Sequence, residues 1–150
     1  MEVAVDIAGW FLNPGDLVAI EQFGKAENNN KTEFRANGLS GLKNYPVVVL
    51  VNQGTASASE ILAGALRDNR SVKLVGEKTF GKGSVQELVN LKDGSSLKVT
   101  VAKWLTPKGV SISEHGLDPD YKISVTEQDT ENKKDSQLDK AVEILSKMIK

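Results

Sequence analysis

Cysteine is absent from the 150 residues, so neither a disulfide framework nor a thiolate metal site can form, and the redox compartment stays open. A single histidine, His115, excludes a histidine-rich metal site. An excess of charge of one sign is lacking too. With 19 basic and 20 acidic residues interspersed, the net charge of −1 argues against a nucleic-acid surface or an anionic-membrane binder, both of which need clustered positive charge. No apolar run approaches the ~20 residues of a membrane span. No basic stretch leads into an apolar one at the N-terminus, so neither a span nor a signal peptide is expected. The remaining composition is that of one soluble domain, long enough to bury a sizeable core.

Along the chain, Val3, Ile7, Trp10 and Phe11 fall at helical spacing and stop at Asn13-Pro14-Gly15, which predicts a helix over 2–12. DLVAIEQF and KTEFRAN, flanking the polar AENNN, read as two extended segments of a loose hairpin with its tip at 28–30. Residues 47–51 form a continuous apolar run, the mark of a strand buried on both faces of a parallel sheet. A helix over 56–67 and a second buried strand in SVKLVGE complete a crossover unit. From Ser84 the pattern alternates, with Leu97, Val99 and Val101 on one side and Asp93-Gly94 at the turn of a long hairpin. Residues 126–136 are nearly all polar and read as a linker. Leu138, Val142, Leu145 and Ile149 then predict an amphipathic helix over 137–150 that docks on the domain or on a second copy.

Two runs carry chemistry. GTASASEI at 54–61 sets a serine at a helix start, and TFGKGSVQ at 79–86 holds Lys82 between two glycines. A strand turning into a helix places a short side chain where unpaired amides and the helix dipole favour negative charge. If Ser57 Oγ attacks a carbonyl there, the amide of Ala58 can point at the oxyanion. Thr55 and Ser59 are rival hydroxyls. A purely structural reading also exists, because Ser57-x-x-Glu60 before an apolar helix is a capping-box pattern. Lysine is a poor base in water, about one molecule in 2,500 being neutral at pH 7. Burial can lower a lysine pKa by ~3–5 units, and Phe80 is expected to supply apolar cover for Lys82. The bland alternative is a solvated loop lysine.

Three other motifs fail. The run at 76–83 nearly spells a P-loop, but Gly83 stands where a magnesium-binding hydroxyl belongs and a strand follows. His115 with Asp118 or Asp120 could complete a triad in principle, yet it sits in a Gly- and Pro-marked turn and reads as a surface histidine. The G-x-S-x-G spacing of a nucleophile elbow is not met.

The TASASE and TFGKG runs, 25 residues apart from Ser57 to Lys82, resemble the signature of the carboxy-terminal processing (tail-specific) proteases. NYPVVVLVN, GALRDN, DGSSLKVTVAKWLTPKG and GLDPD follow in that family's order, so the resemblance covers most of residues 1–125. It implies an α/β fold with a Clp-protease/crotonase-like core, a long hairpin and a C-terminal helix. It also implies a serine endopeptidase with Ser57 as nucleophile, Lys82 as base, Gln86 orienting the ammonium and Ala58 N–H in the oxyanion hole. Neither cofactor nor metal is implied. Substrates would be proteins or peptides with apolar C-termini, held through backbone bonds at a sheet edge, and the parent protein would be extracytoplasmic. The family's LD(L/M)R-x-N-x-GG segment, source of a second oxyanion donor, and its PDZ domain are not in this sequence. Weak or absent activity and self-association are therefore expected, and a non-catalytic binding or scaffold fragment is the alternative.

Overall fold

The structure, a computed structural model, describes residues 1–24 and 31–149. The expected loop tip at 28–30 lies outside the described residues. After helix α1 (Glu2–Phe11), β1 (Leu17–Phe23) and β2 (Lys31–Arg35) pair antiparallel, as the two extended segments predict. Helical periodicity located α1 but not its inner face. Ala4, Ala8 and Gly9 are buried, while Val3, Ile7 and Trp10 are exposed.

Two sheets make up the architecture. β5 (Ser84–Asn90) and β6 (Ser96–Leu105) form the long hairpin, and β6 also pairs with β1, giving the antiparallel order β2-β1-β6-β5. At the turn, Asp93 accepts hydrogen bonds from the Ser95 amide at 3.0 Å and the Ser95 hydroxyl at 2.6 Å. The second sheet is parallel. β3 (Val48–Val51) lies beside β4 (Lys73–Gly76), with Val48 opposite Lys73, and α2 (Ala58–Arg70) connects them. β7 (Tyr121–Lys122) adds on the far side of β4.

β4 is buried as its composition predicts, with Leu74, Val75 and Gly76 all inside. β3 departs from that expectation. Only Val51 is buried and Leu50 is 43% exposed, because β3 is the edge of its sheet with β4 as its one neighbour among the described residues. The main core joins Ala4, Ala8 and Leu12 of the N-terminal segment to Ile61, Ala65 and Leu66 of α2 and to Val18, Val51 and Leu74 of the strands. At roughly 25 cal/mol per Å² of buried apolar surface, this cluster holds the α2 N-terminus against the sheets.

The segment 126–136 is more structured than a linker. It contains a one-turn helix, α3 (Glu127–Glu131), whose cap is reciprocal: the Thr126 amide donates to Asp129 and the Asp129 amide donates to the Thr126 hydroxyl. Asp135 then caps α4 (Ser136–Met148) through the Leu138 amide. α4 docks on β3 and β4. It buries Ala141 and Ile144 and leaves Leu138 and Val142 of the expected stripe exposed.

Candidate active site

β3 ends at Val51, and a turn leads to the first turn of α2. Asn52 builds that turn, accepting from the Gly54 amide at 2.9 Å and donating its own amide to the Thr55 hydroxyl at 3.1 Å. Thr55 is thereby occupied in the turn, while its carbonyl accepts from the Phe80 amide at 2.9 Å. Ser59 is exposed. Ser57, the remaining hydroxyl, is the N-cap of α2 and takes φ 54° and ψ −118°. A serine at positive φ outside the usual left-handed well costs ~1–3 kcal/mol and persists only where its surroundings enforce it. The spacing of a nucleophile elbow is missing from the sequence, yet the backbone here makes a strained strand-to-helix turn of that kind.

Glu60 provides the enforcement. It is fully buried, and its Oε2 accepts from the Ser57 amide and the Lys82 amide, each at 2.9 Å. Its Oε1 accepts from the Gly81 amide at 2.8 Å and the Thr79 hydroxyl at 2.5 Å. Four donors on two oxygens match the acceptor capacity of a carboxylate. Glu60 thus fills the helix-capping position that the sequence pattern indicated, but three of its four bonds reach the glycine loop. The Glu60 amide donates to the Ser57 carbonyl at 3.0 Å. Two bonds to one oxygen hold the Ser57 and Lys82 amide nitrogens at most twice 2.9 Å apart.

The loop is clamped from its other side by residues 112–117. Thr79 donates its amide to the Leu117 carbonyl at 3.1 Å and accepts the Leu117 amide on its hydroxyl at 2.7 Å. Gly81 has φ +87°, and a Cβ on Gly83 would stand 2.4 Å from the Ser113 amide nitrogen. Both glycines flanking Lys82 are therefore dictated by close backbone approach.

Of the residues expected to act, backbone contacts bring together Ser57 and Lys82, with Ala58 adjacent in the first turn of α2. The Ala58 amide is one of those a helix leaves without an intrahelical acceptor, and no protein acceptor meets it among the described residues. Lys82 departs from the expected desolvated base. Its side chain is exposed, and among the described residues it shares no hydrogen bond with Ser57 or Gln86. Phe80 is 66% exposed and gives it no apolar cover, because the Phe80 amide is tied to Thr55 while its ring turns outward. Gln86 lies exposed on β5, opposite Thr100 and just past a bulge. His115 is exposed in its turn. Beside the loop, Phe80, Gly81, Ser84, Thr100, Lys103 and Glu114 line a cleft of about 540 Å³. Among the described residues, no three His, Asp or Glu side chains gather as a metal site.

The residue that sequence reasoning missed is Glu60 as the link between the two motifs. Its signal was present: the same run that carries the serine carries a glutamate three positions on, 22 residues before Lys82.

The chain has relatives among known proteins. The chain is 49% identical over 121 residues to a carboxyl-terminal-processing protease of Synechocystis sp., covering 80% of this chain and 27% of that protein. It is 45% identical over 119 residues to the chloroplastic C-terminal processing peptidase of Tetradesmus obliquus, covering 79% and 25%. The solved photosystem II D1 C-terminal processing protease superposes with a TM-score of 0.72 at 40% identity, covering 87% of this chain and 33% of that one. The chain spans about a quarter of the length of the curated relatives it matches. The family model of peptidase family S41 matches residues 1–123, and with a strained serine and a lysine loop joined through one buried carboxylate, the chain belongs to peptidase family S41.

Proposed function

We propose that this chain carries the serine-lysine site of an endopeptidase that cleaves protein substrates near apolar C-termini. The observation that supports this reading is the shared Glu60 oxygen, which fixes the backbones of Ser57 and Lys82 beside each other. Ser57 Oγ attacks the scissile carbonyl and passes its proton to Lys82 Nζ in the neutral amine form. The Ala58 amide, at the positive end of α2, donates to the developing oxyanion. Lys82 then protonates the leaving amine and serves again as base when water opens the acyl-enzyme. Gln86 orients the ammonium through its side-chain carbonyl. The cover that Lys82 lacks in the free protein comes from the substrate, which excludes water from the loop as it binds.

One oxyanion donor is identified at this site, and loss of a single donor lowers turnover by about 10²–10³. Activity of the chain by itself is therefore expected to be weak. For a longer parent protein, the family resemblance supports action outside the cytoplasm, in the cell envelope. Among the described residues no helix is long and apolar enough to cross a membrane.

The Lys82 side chain, exposed and without a hydrogen-bond partner among the described residues, favours a second reading, a binding or scaffold module that keeps the protease fold. Incubation with an unfolded protein ending in apolar residues separates the two. The unsubstituted chain should cleave slowly, and Ser57→Ala and Lys82→Ala should each abolish cleavage, since the pair acts as one unit. No cleavage by the unsubstituted chain supports the scaffold, and cleavage that survives Ser57→Ala overturns the site.

A further inference from the structure

The cleft of about 540 Å³ beside the glycine loop has Gly81, the neighbour of Lys82, in its wall. Most of the remaining wall is polar. Ser84, Thr100 and Ser113 bring hydroxyls, and Lys103 brings a cation. A bulge sets two of these together. Val85 pairs with Ala102 and Gln86 with Thr100, so Val101 has no residue opposite it on β5. Residues three apart on a regular strand face opposite sides, and the extra residue lets Thr100 and Lys103 of β6 line one cleft. Ser84, opposite Lys103, joins the same wall.

The binding capacity of these groups is unspent. Lys73, Lys78, Lys140 and Lys147 each pair with a carboxylate, whereas exposed Lys103 has no such partner among the described residues, Glu114 of the same cleft included. The Ser113 hydroxyl is shut off from solvent and makes no hydrogen bond among the described residues. A buried polar atom left unpaired is uncommon in a folded protein, and a ligand is one way to complete it. Glu114 is the one carboxylate in the wall, and it takes φ 67° with its amide donating to the Gly81 carbonyl at 3.0 Å. Positive φ is costly for a residue with a Cβ and collects at ligand sites. Phe80 adds an exposed ring beside these polar groups.

We propose that this cleft is a subsite for a carboxylate of the substrate, and that Lys103 is the residue that selects it. The Lys103 ammonium pairs with the carboxylate, and the hydroxyls of Ser84, Thr100 and Ser113 donate to its remaining lone pairs. Phe80 packs against the apolar side chain next to it. A terminal carboxylate and an acidic side chain present the same two oxygens, and a cleft of this size holds the group together with the residue that carries it. The bond to be cut lies close by, because Gly81 in the wall and Ser57 donate to the two oxygens of the same Glu60 carboxylate. That the carboxylate belongs to a substrate rests on the protease reading; its binding here does not.

The test uses the full chain with Ser57→Ala and a fluorescent peptide ending in apolar residues, made as the free acid, as the C-terminal amide, and as the amide with one glutamate near its end. The free acid should bind about tenfold more tightly than the amide, by fluorescence anisotropy. Gain with the free acid alone assigns the terminal carboxylate, and gain with the glutamate peptide as well assigns carboxylates of either source; both support the subsite. Lys103→Gln should erase the preference and Lys103→Arg should keep it, each with an unchanged circular dichroism spectrum, because the position is exposed. Glu114→Gln should tighten binding of the free acid by removing a like charge from the wall. Equal affinity for acid and amide, no binding at millimolar peptide, or a preference that survives Lys103→Gln, as it would if Lys82 held the carboxylate, overturns the proposal. Cleavage by the unsubstituted chain keeps the two readings apart. A peptide cut as readily in its amide form as in its acid form overturns the subsite alone, whereas one bound with the acid preference and never cut supports the subsite and overturns the protease reading.

Discussion

Four donors converge on Glu60, and exchanging its carboxylate for an amide of the same shape turns one acceptor oxygen into a donor that faces donors. Glu60→Gln should therefore cost about 1–3 kcal/mol, the range for leaving a buried polar group unsatisfied, read as a lower midpoint in urea unfolding. In the folded fraction it should also slow cleavage, since the amides of Ser57 and Lys82 lose their common anchor. Ser57 gives the opposite sign. Its φ of 54° strains any residue with a Cβ, so Ser57→Gly should be more stable than Ser57→Ala by about 1 kcal/mol while being equally inactive. Equal melting temperatures for the two variants would remove the strain argument. At this scale the sequence was legible as local structure: Ser57 stands at the start of α2 and Lys82 in the glycine loop. The exposure of Lys82 was not, because no local pattern states which way a loop side chain turns or what covers it. Glu60 read only as a cap because three of its partners, Thr79, Gly81 and Lys82, lie far along the chain.

At the scale of elements, periodicity found α1 and α4 but named the wrong faces. α1 turns its small residues inward because it packs at backbone contact: a Cβ on Gly38 would lie 2.3 Å from the Gly9 carbonyl oxygen. α4 buries Ala141 and Ile144, a face beside the stripe that the sequence pattern indicates. The α3 turn escaped because a polar run resembles a linker until its caps are counted. Those caps carry a pH dependence. The Thr126 amide, the Thr126 hydroxyl and the Ser136 hydroxyl hold the Asp129 carboxyl down at about 2, from an ordinary 3.8. In α4, Lys147 and Lys140 bind Glu143 and likewise hold it at about 2, from 4.5. Both folded values lie below the unfolded ones, so the stabilisation is complete above pH ~5 and disappears as pH falls through ~4 to 2. Helical circular dichroism should decline over that window, and Asp129→Asn should already show part of the loss at pH 7. A helical signal flat from pH 7 to 2, unaffected by that substitution, would contradict the capping role.

For the whole molecule, the two-sheet α/β plan followed from the order of its segments: an apolar run, a helix and a second apolar run gave the parallel pair, and strict alternation after Ser84 gave the hairpin. Which strand stands at an edge depends on tertiary neighbours, and that is why β3 was expected to be buried on both faces. Its open side has a consequence for assembly. Val48, Val49, Leu50 and Val51 present four successive residues without a charge or proline, and Leu50 is 43% exposed. A short apolar edge of this kind recruits a matching edge, most readily that of a second copy. The chain should associate with rising concentration, detected by light scattering on a size-exclusion column. Leu50→Lys should suppress that association, because a lysine on the edge strand carries its charge into the pairing region. Its stability should change little, since the side chain is already half in solvent. Salt gives an independent check: association driven by apolar burial should persist or strengthen in molar sulfate, whereas association through surface ion pairs would weaken. A chain that stays monomeric up to millimolar concentration would show that the edge of β3 is protected by means other than charge.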